Sequence, residues 1–452
     1  MRSVWCSSMG ARPSPTDAPE AGVPPRLWRG TALQVAGRVY GSACTFVSLA
    51  IVARVVSEGD FGRFTFYLAL FALLDAAVDM GTGTVALRRV AADRWATAPV
   101  LMAARRIRVR LGVLGVLTVG LLAHAFDEPG AVWITLAALY PITHAWELSA
   151  TVFKDRLAWG VPVALRALAA TLRLGAVLSL AHFDVTSPGI YLAATAAGSA
   201  LANFLLHRAA SSELPRPTIP VQPARGLLRE AWPLGLALLC QQGYFYVDNL
   251  FVRELESDVA LGHYNAAVRT LSAAIMVAQF AGATGLPWLV RRSADHDLAR
   301  SVAQLAQPLA LAAALGAGVL SVLAGPFLEL VFGPSFRAAT GSLVLFTHAV
   351  VLIHVGAVVL TAVVSLGRPR AVLAVAGLGL ALNVVGNALL VPRFGIEGAA
   401  IATVATEALV VLSSIAVLVR TGANPLAHRP LLWLAIPLVY WATRALATVV
   451  LP

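Results

Sequence analysis

Nine ionisable side chains of this chain fall inside stretches that are otherwise apolar: Arg38, Arg166, Arg173 and Arg269, and the acids Asp75, Asp79, Glu147, Asp248 and Glu407. A charge at the centre of a bilayer costs at least ~2.5–3.5 kcal/mol on insertion scales, so such a residue faces a cavity or a partner. Arg166 and Arg173 are seven residues apart, close to two turns, and share a helix face. At 1.5 Å per residue Arg173 lies about 24 Å from the inner end of its segment, too deep to snorkel inward. Arg38 and Arg269 lie about 10 Å from opposite ends of theirs. Together the four could form a cationic strip that binds an anionic substrate. A guanidinium fork suits a diphosphate because it bonds two oxygens at once and does not deprotonate. The alternative is that each arginine snorkels or neutralises an acid such as Asp75. Asp75 and Asp79, one turn apart, and Asp248, followed by Asn249, are candidates for ion coupling, with a structural ion pair as the alternative.

The composition says what kind of element must position these groups. Of 452 residues, 58% are hydrophobic and 13% charged, and the mean hydropathy is +0.77. A soluble domain carries about 25% charged residues, so this chain cannot cover a water-facing surface and is read as a membrane protein. Apolar stretches long enough to cross ~30 Å of hydrocarbon fall near 31–56, 62–87, 109–126, 130–153, 158–182, 187–207, 227–252, 262–289, 301–324, 338–366, 371–391 and 396–419. A thirteenth, 430–450, contains Arg444.

The net charge of +11 is an arginine charge, since Lys154 is the one lysine. With the N-terminus inside, 24 of the 34 basic residues fall on cytoplasmic connections and five outside, the remaining five lying within spans. This is the positive-inside pattern, and it predicts a membrane protein with a cytoplasmic N-terminus. Nucleic acid is not expected as a partner. The outer turns are acidic, with Glu58, Asp60, Asp127, Glu128, Asp184, Glu254, Glu256 and Asp258.

Segment 208–226 holds Pro215, Pro217, Pro220 and Pro223 and reads as an extended linker between six spans and six. The domains expected are a disordered cytoplasmic tail over 1–29, a six-helix bundle over 30–207, the linker 208–226, a second bundle over 227–420 and an additional hydrophobic helix over 429–451. The halves echo each other: Phe61-Gly62-Arg63-Phe64 opens the second span and Arg88-Arg89 closes it, while Leu261-Gly262-His263-Tyr264 opens the eighth and Arg291-Arg292 closes it. Six spans per half give both the same orientation. The repeat is then related by a pseudo-twofold axis along the membrane normal, with the substrate path between halves. The fold class is therefore all-α and polytopic, two six-helix bundles plus a C-terminal helix.

Several chemistries lack their residues. The first 28 residues contain no apolar run and do not read as a signal peptide, and Met9 offers an alternative start. Lys154 is followed by Asp155, so no P-loop is present, and HExxH is missing. Asp295-His296-Asp297 reads as a solvated loop, not as a metal site. Cys6, Cys44 and Cys240 are scattered and support neither zinc nor disulfides. No catalytic residue, metal or cofactor is expected. Trp133, Tyr140, Trp146, Trp159 and Trp232 read as interfacial anchors or packing.

Four motifs carry a family resemblance. They are Arg54-Val-Val-Ser-Glu-Gly-Asp-Phe-Gly-Arg-Phe-Thr-Phe-Tyr67, Asp79-Met-Gly-Thr-Gly-Thr-Val-Ala-Leu-Arg-Arg89, Leu261-Gly-His-Tyr-Asn-Ala-Ala-Val-Arg269 with Leu286-Pro287 and Arg291, and Val391-Pro-Arg-Phe-Gly-Ile-Glu-Gly-Ala-Ala-Ile-Ala402. In this order the chain resembles the polysaccharide-export branch of the multidrug/oligosaccharidyl-lipid/polysaccharide (MOP) exporter superfamily, the O-antigen-type flippases. The resemblance implies alternating access between two six-helix halves, moving undecaprenyl-diphosphate-linked oligosaccharide to the outer leaflet. It also implies a cationic cavity with arginines from the first and eighth spans, where Arg38 and Arg269 lie. Partners so implied are the lipid-linked oligosaccharide, membrane lipids, a polysaccharide polymerase and glycosyltransferases. The thirteenth segment departs from the family's usual twelve or fourteen. Competing readings are a multidrug exporter of the same superfamily, which would favour an acidic or aromatic cavity, a membrane-embedded polymerase, which needs a large external loop, and a non-transporting scaffold.

Overall fold

In a bilayer every backbone polar group must be satisfied within the segment, so apolar runs of this length fold as helices. In the computed structural model all regular structure among the described residues, 25–92, 97–155, 158–211, 224–294 and 297–450, is helical. Residues 1–24 of the tail expected over 1–29, and the proline-rich core of the linker, 212–223, lie outside the described residues, as do Asp295 and His296, while 25–29 form the first turns of a helix and not a disordered tail. Among the described residues ten helical segments are long and apolar enough to cross a membrane.

The first half comprises α1 (Pro25–Val55), α2 (Glu58–Asp79), α3 (Thr82–Ala92), α4 (Thr97–Ala125), α5 (Ala131–Ala137), α6 (Tyr140–Glu147), α7 (Ala150–Asp155), α8 (Gly160–His182) and α9 (Pro188–Ser211). The second comprises α10 (Ala224–Leu255), α11 (Asp258–Ala274), α12 (Met276–Ala294), α13 (Leu298–Phe332), α14 (Thr340–Ser365), α15 (Pro369–Arg420) and α16 (Pro430–Val450). At about 1.5 Å per residue the 52 residues of α15 would span about 78 Å, far more than a bilayer. The chain instead folds back at Gly395 (φ 55°, ψ −136°), and Gly386 comes to lie on Ala402 and Gly379 on Val410. α15 thus supplies the eleventh and twelfth expected spans. The thirteenth is α16, docked on α13, with the Tyr440 hydroxyl 2.8 Å from the Thr347 hydroxyl.

Three spans expected as single helices are broken. The second splits at Met80, whose φ of 43° is left-handed, and Gly81. Asp79 draws the chain out of the helix: its carboxylate accepts the Gly81 and Gly83 amides at 3.1 and 3.2 Å. The fourth becomes α5, α6 and α7; between α5 and α6 the break falls at Pro141, which in the first turn of α6 cannot donate to the preceding turn. The eighth bends at Ile275.

Most contacts stay within a half: α1 packs on α8, α8 on α9 and α9 on α5 and α6, while α10 packs on α15 and α14 on α13 and α15. The halves meet chiefly along α2 against α11 and α2–α3 against α10. Here the sequence repeat acquires a physical meaning. Ser57 caps α2 and Ser257 caps α11, each accepting the amide three residues on at 3.1 Å. Five residues after each cap, Gly62 and Gly262 face one another, and a Cβ on either would strike the other helix's backbone, at Asp258 and Glu58 respectively. Only glycine allows this approach, as small residues do at membrane helix crossings generally.

Candidate functional site

The two ends of the bundle differ in charge and in closure. At the acidic end Arg253 of α10 pairs with Glu128, between α4 and α5, and with Asp258 at 3.0 Å, and it lies 4.5 Å over the Phe66 ring. Arg63 of α2 bridges Asp60 (3.0 Å) and Asp258 (2.7 Å). Arg54, at the end of α1, donates to the carbonyls of Leu330 and Val331, the latter at 3.0 Å, where α13 ends. Each of the three arginines joins one half to the other. This end is shut.

Below it a cavity of about 650 Å³ opens between α1, α6, α8, α9 and α12. It runs from Thr45 and Arg173 in the middle of the bundle to Trp159 and Pro162 at the arginine-rich end. Its volume falls within the range of small-molecule sites. Around the charges stand hydrogen-bonding side chains of Gln34, Ser42, Ser199, Asn203 and Gln279.

The cavity brings together three of the four arginines expected there. Arg38 is exposed on α1, its guanidinium 5.9 Å from the Phe280 ring of α12 across the opening between halves. Arg173 of α8 donates to the Thr45 hydroxyl of α1 at 2.5 Å, and its buried Nε has no hydrogen-bond partner. Arg166 also lines the cavity but is paired with Glu147 of α6. Arg269 does not line it: on α11 in the second half it sits beside Tyr246, with Nε and Nη2 buried and unpartnered.

The acids separate likewise. Asp75 pairs with Nδ1 of His144, a cavity residue. Asp79 pairs with Arg108, which also donates to the His144 carbonyl at 2.9 Å. Asp248 is buried in the second half, accepting from Asn249 at 2.8 and 2.9 Å and from the Tyr264 hydroxyl, while Asn265 donates to Asn249 at 2.7 Å.

Sequence reasoning missed His144 and Arg108. Tyr140, His144 and Glu147, spaced four and three apart, mark one face of a helix, and that spacing was the available signal. Arg105 and Arg108, expected on a cytoplasmic connection, lie within α4, and Arg108 is buried. Helix α4 runs past its apolar stretch because these arginines satisfy carbonyls freed where the fourth span breaks, Arg105 at Ala145 (3.3 Å) and Arg108 at His144. Tyr140 and Trp159, expected as packing or anchors, are cavity walls. Arg108→Ala leaves the half-buried Asp79 carboxylate with its two backbone amides but without its cation, a loss of about 1.5–3 kcal/mol. Its thermal unfolding midpoint in detergent should fall by several degrees, and a wild-type midpoint would contradict this clamp.

With the geometry described, comparison decides the family. The polysaccharide biosynthesis protein family matches residues 27–293, more than half of the chain. The chain belongs to the polysaccharide biosynthesis protein family. No curated sequence matches it. Solved structures share this family member's fold across nearly all its length. A MOP superfamily transporter from Pyrococcus furiosus, described as having a binding pocket of reverse polarity, superposes with a TM-score of 0.67 at 13% identity, covering 88% of this chain and 96% of that one. The multidrug transporter DinF-BH gives 0.64 at 15%, covering 89% and 97%. The lipid II flippase MurJ gives 0.56 at 12%, covering 94% and 91%. At such identities the likeness establishes the fold alone: this polysaccharide biosynthesis protein is a multi-pass membrane protein, helical throughout its described regular structure, with the fold seen in MOP transporters.

Proposed function

We propose that this protein is a flippase that moves undecaprenyl-diphosphate-linked oligosaccharide from the cytoplasmic to the outer leaflet during polysaccharide biosynthesis. The observation that carries the reading is a cavity lined by Arg38 and Arg173, neither paired with a carboxylate among the described residues, in a fold closed at its acidic end. With the arginine-rich end in the cytoplasm of a bacterial plasma membrane, as the charge bias supports, this state faces inward and is ready to load. The two guanidiniums receive the diphosphate, and the cavity amides and hydroxyls take the place of water around the sugars, each of which would otherwise lose several kcal/mol per unpaired hydroxyl in hydrocarbon.

The halves 30–207 and 227–420 rock about the 208–226 linker, with Asp248 the buried carboxylate best placed to sense a coupling ion in the second half. Transport needs no covalent step, so no catalytic residue or cofactor enters. A polymerase and glycosyltransferases would act on either side of the step. The test is the leaflet distribution of lipid-linked oligosaccharide in cells depleted of the protein. Accumulation on the cytoplasmic face with loss of external polymer is expected. An unchanged distribution with raised sensitivity to cationic dyes would instead identify a drug exporter.

A further inference from the structure

Two carboxylates one turn apart on α2 converge on one residue of the cavity wall. Asp75 holds the His144 ring at Nδ1, and Asp79 holds Arg108, whose Nη1 donates to the His144 carbonyl at 2.9 Å. The ring is anchored from its own helix as well, edge-on to Tyr140 with centroids 4.5 Å apart. The pair is mostly sheltered, with 15% of the His144 and 31% of the Asp75 side chain exposed. The other charges around it are engaged elsewhere: Glu147 of α6 with Arg166 of α8, Arg105 of α4 with the Ala145 carbonyl and Ser149, and His207 of α9 with Ser149 at 2.8 Å. Arg173 of α8, which bonds Thr45, and Arg38 of α1, which lies by the Phe280 ring, face the same cavity.

We propose that Asp75 and His144 form a proton-binding site linked to anion binding in the cavity: the imidazole takes up a proton as a diphosphate headgroup enters and gives it up as the headgroup leaves. This rests on the diphosphate reading above. Nδ1–H donates to the carboxylate in both charge states, so the proton comes and goes at Nε2 and the pair's geometry persists. With the ring neutral, the pair places a net charge of −1 on the cavity wall. With the ring protonated, the charge is zero. An anion entering a site shielded from water is repelled in the first state and spared in the second. Anion and proton therefore strengthen each other's binding by the same factor. Imidazole is the side chain whose charge ordinarily changes between pH 5 and 8, and among the described residues no other histidine lines this cavity.

The test is calorimetric titration of the full-length protein in nanodiscs with farnesyl diphosphate, in buffers of differing ionisation heat, from pH 5.5 to 8.5. Affinity is expected to fall about five- to tenfold over that range, with net proton uptake on binding. The ligand's own phosphate protons are common to every variant, so differences between proteins read the site. His144→Gln should lose the extra uptake and flatten the profile, and Asp75→Asn should bind more tightly than wild type at pH 8.5. His144→Lys, with a fixed charge, should match wild type at pH 5.5 and bind more tightly than wild type at pH 8.5, which keeps the test decisive if His144→Gln fails to fold. Unchanged uptake and slope in these variants, with binding still lost in Arg38→Ala and Arg173→Ala, would overturn the proton site alone. Absence of wild-type binding at every pH would overturn the diphosphate reading and this inference with it.

Discussion

Removing both Arg38 and Arg173 is expected to abolish transport while the protein still inserts and folds. Charge-assisted hydrogen bonds contribute about 1.5–3 kcal/mol each, or roughly ten- to more than a hundredfold in affinity. Arg38→Ala and Arg173→Ala should thus each cut the rate at least tenfold, and the double variant should fall to background. Neither change leaves a carboxylate unpaired, because Arg38 touches Phe280 and Arg173 bonds Thr45. Arg173→Ala even removes a buried, unpartnered Nε. Arg38→Lys should retain part of the activity, since the charge survives and the planar fork does not. Arg166→Ala should be milder for transport, because Arg166 is already neutralised by Glu147. External polymer in complemented cells, against protein level in the membrane, measures all five. Normal polymer in the double variant would eliminate the cationic cavity as the site of headgroup binding.

The second large effect is expected at the acidic end. A methyl at Gly62 or Gly262 would be driven into the backbone of the opposing helix, well inside the ~3.5 Å at which such atoms rest. Backbone cannot swing aside as a flexible side chain can. Gly62→Ala or Gly262→Ala should therefore hold α2 and α11 apart and disfavour the shut state. Arg253→Ala attacks the same closure electrostatically: it leaves Glu128, 12% exposed, without that partner, at a cost of about 3–5 kcal/mol. Spin labels on either side of the seal, at Ser57 and Ser257, should report a longer and broader distance in all three variants. Transport should drop because the return to the loading state is impaired. Wild-type distances in both glycine variants would mean that the crossing is not part of the gate.

On the flippase reading proposed above, these two sites divide the labour that alternating access requires. The arginines of the cavity belong to α1 and α8 of the first half, with the second half closing over them through α12. The seal is built where the sequence repeat brings its two copies together, through Gly62 and Gly262. A repeat whose equivalent glycines touch forms a self-complementary contact, a geometry suited to parting and rejoining about the axis that relates the halves.

Much of this was written in the sequence itself, because hydrophobic length is a local property. It determined the membrane setting, the thirteen apolar segments, the arginine bias of alternate connections, the two-half repeat and the buried charges worth attention. What only the tertiary structure decided is which charge meets which. Arg173 reaches Thr45 across 128 residues, Asp79 reaches Arg108 across 29, and Arg253 reaches Glu128 across 125. Asp75 and Asp79 look alike on one helix face, yet one holds a cavity histidine and the other both caps a helix start and anchors an arginine. Arg38 and Arg269 look alike by depth, yet only Arg38 reaches the cavity. The break between α6 and α7 depends on distant partners too, since Arg105 and Arg108 donate to the Ala145 and His144 carbonyls at the end of α6 and so make an interrupted helix tolerable in hydrocarbon. The cost of burying a charge can be read from one segment. Its compensation is set by whatever the fold brings against it.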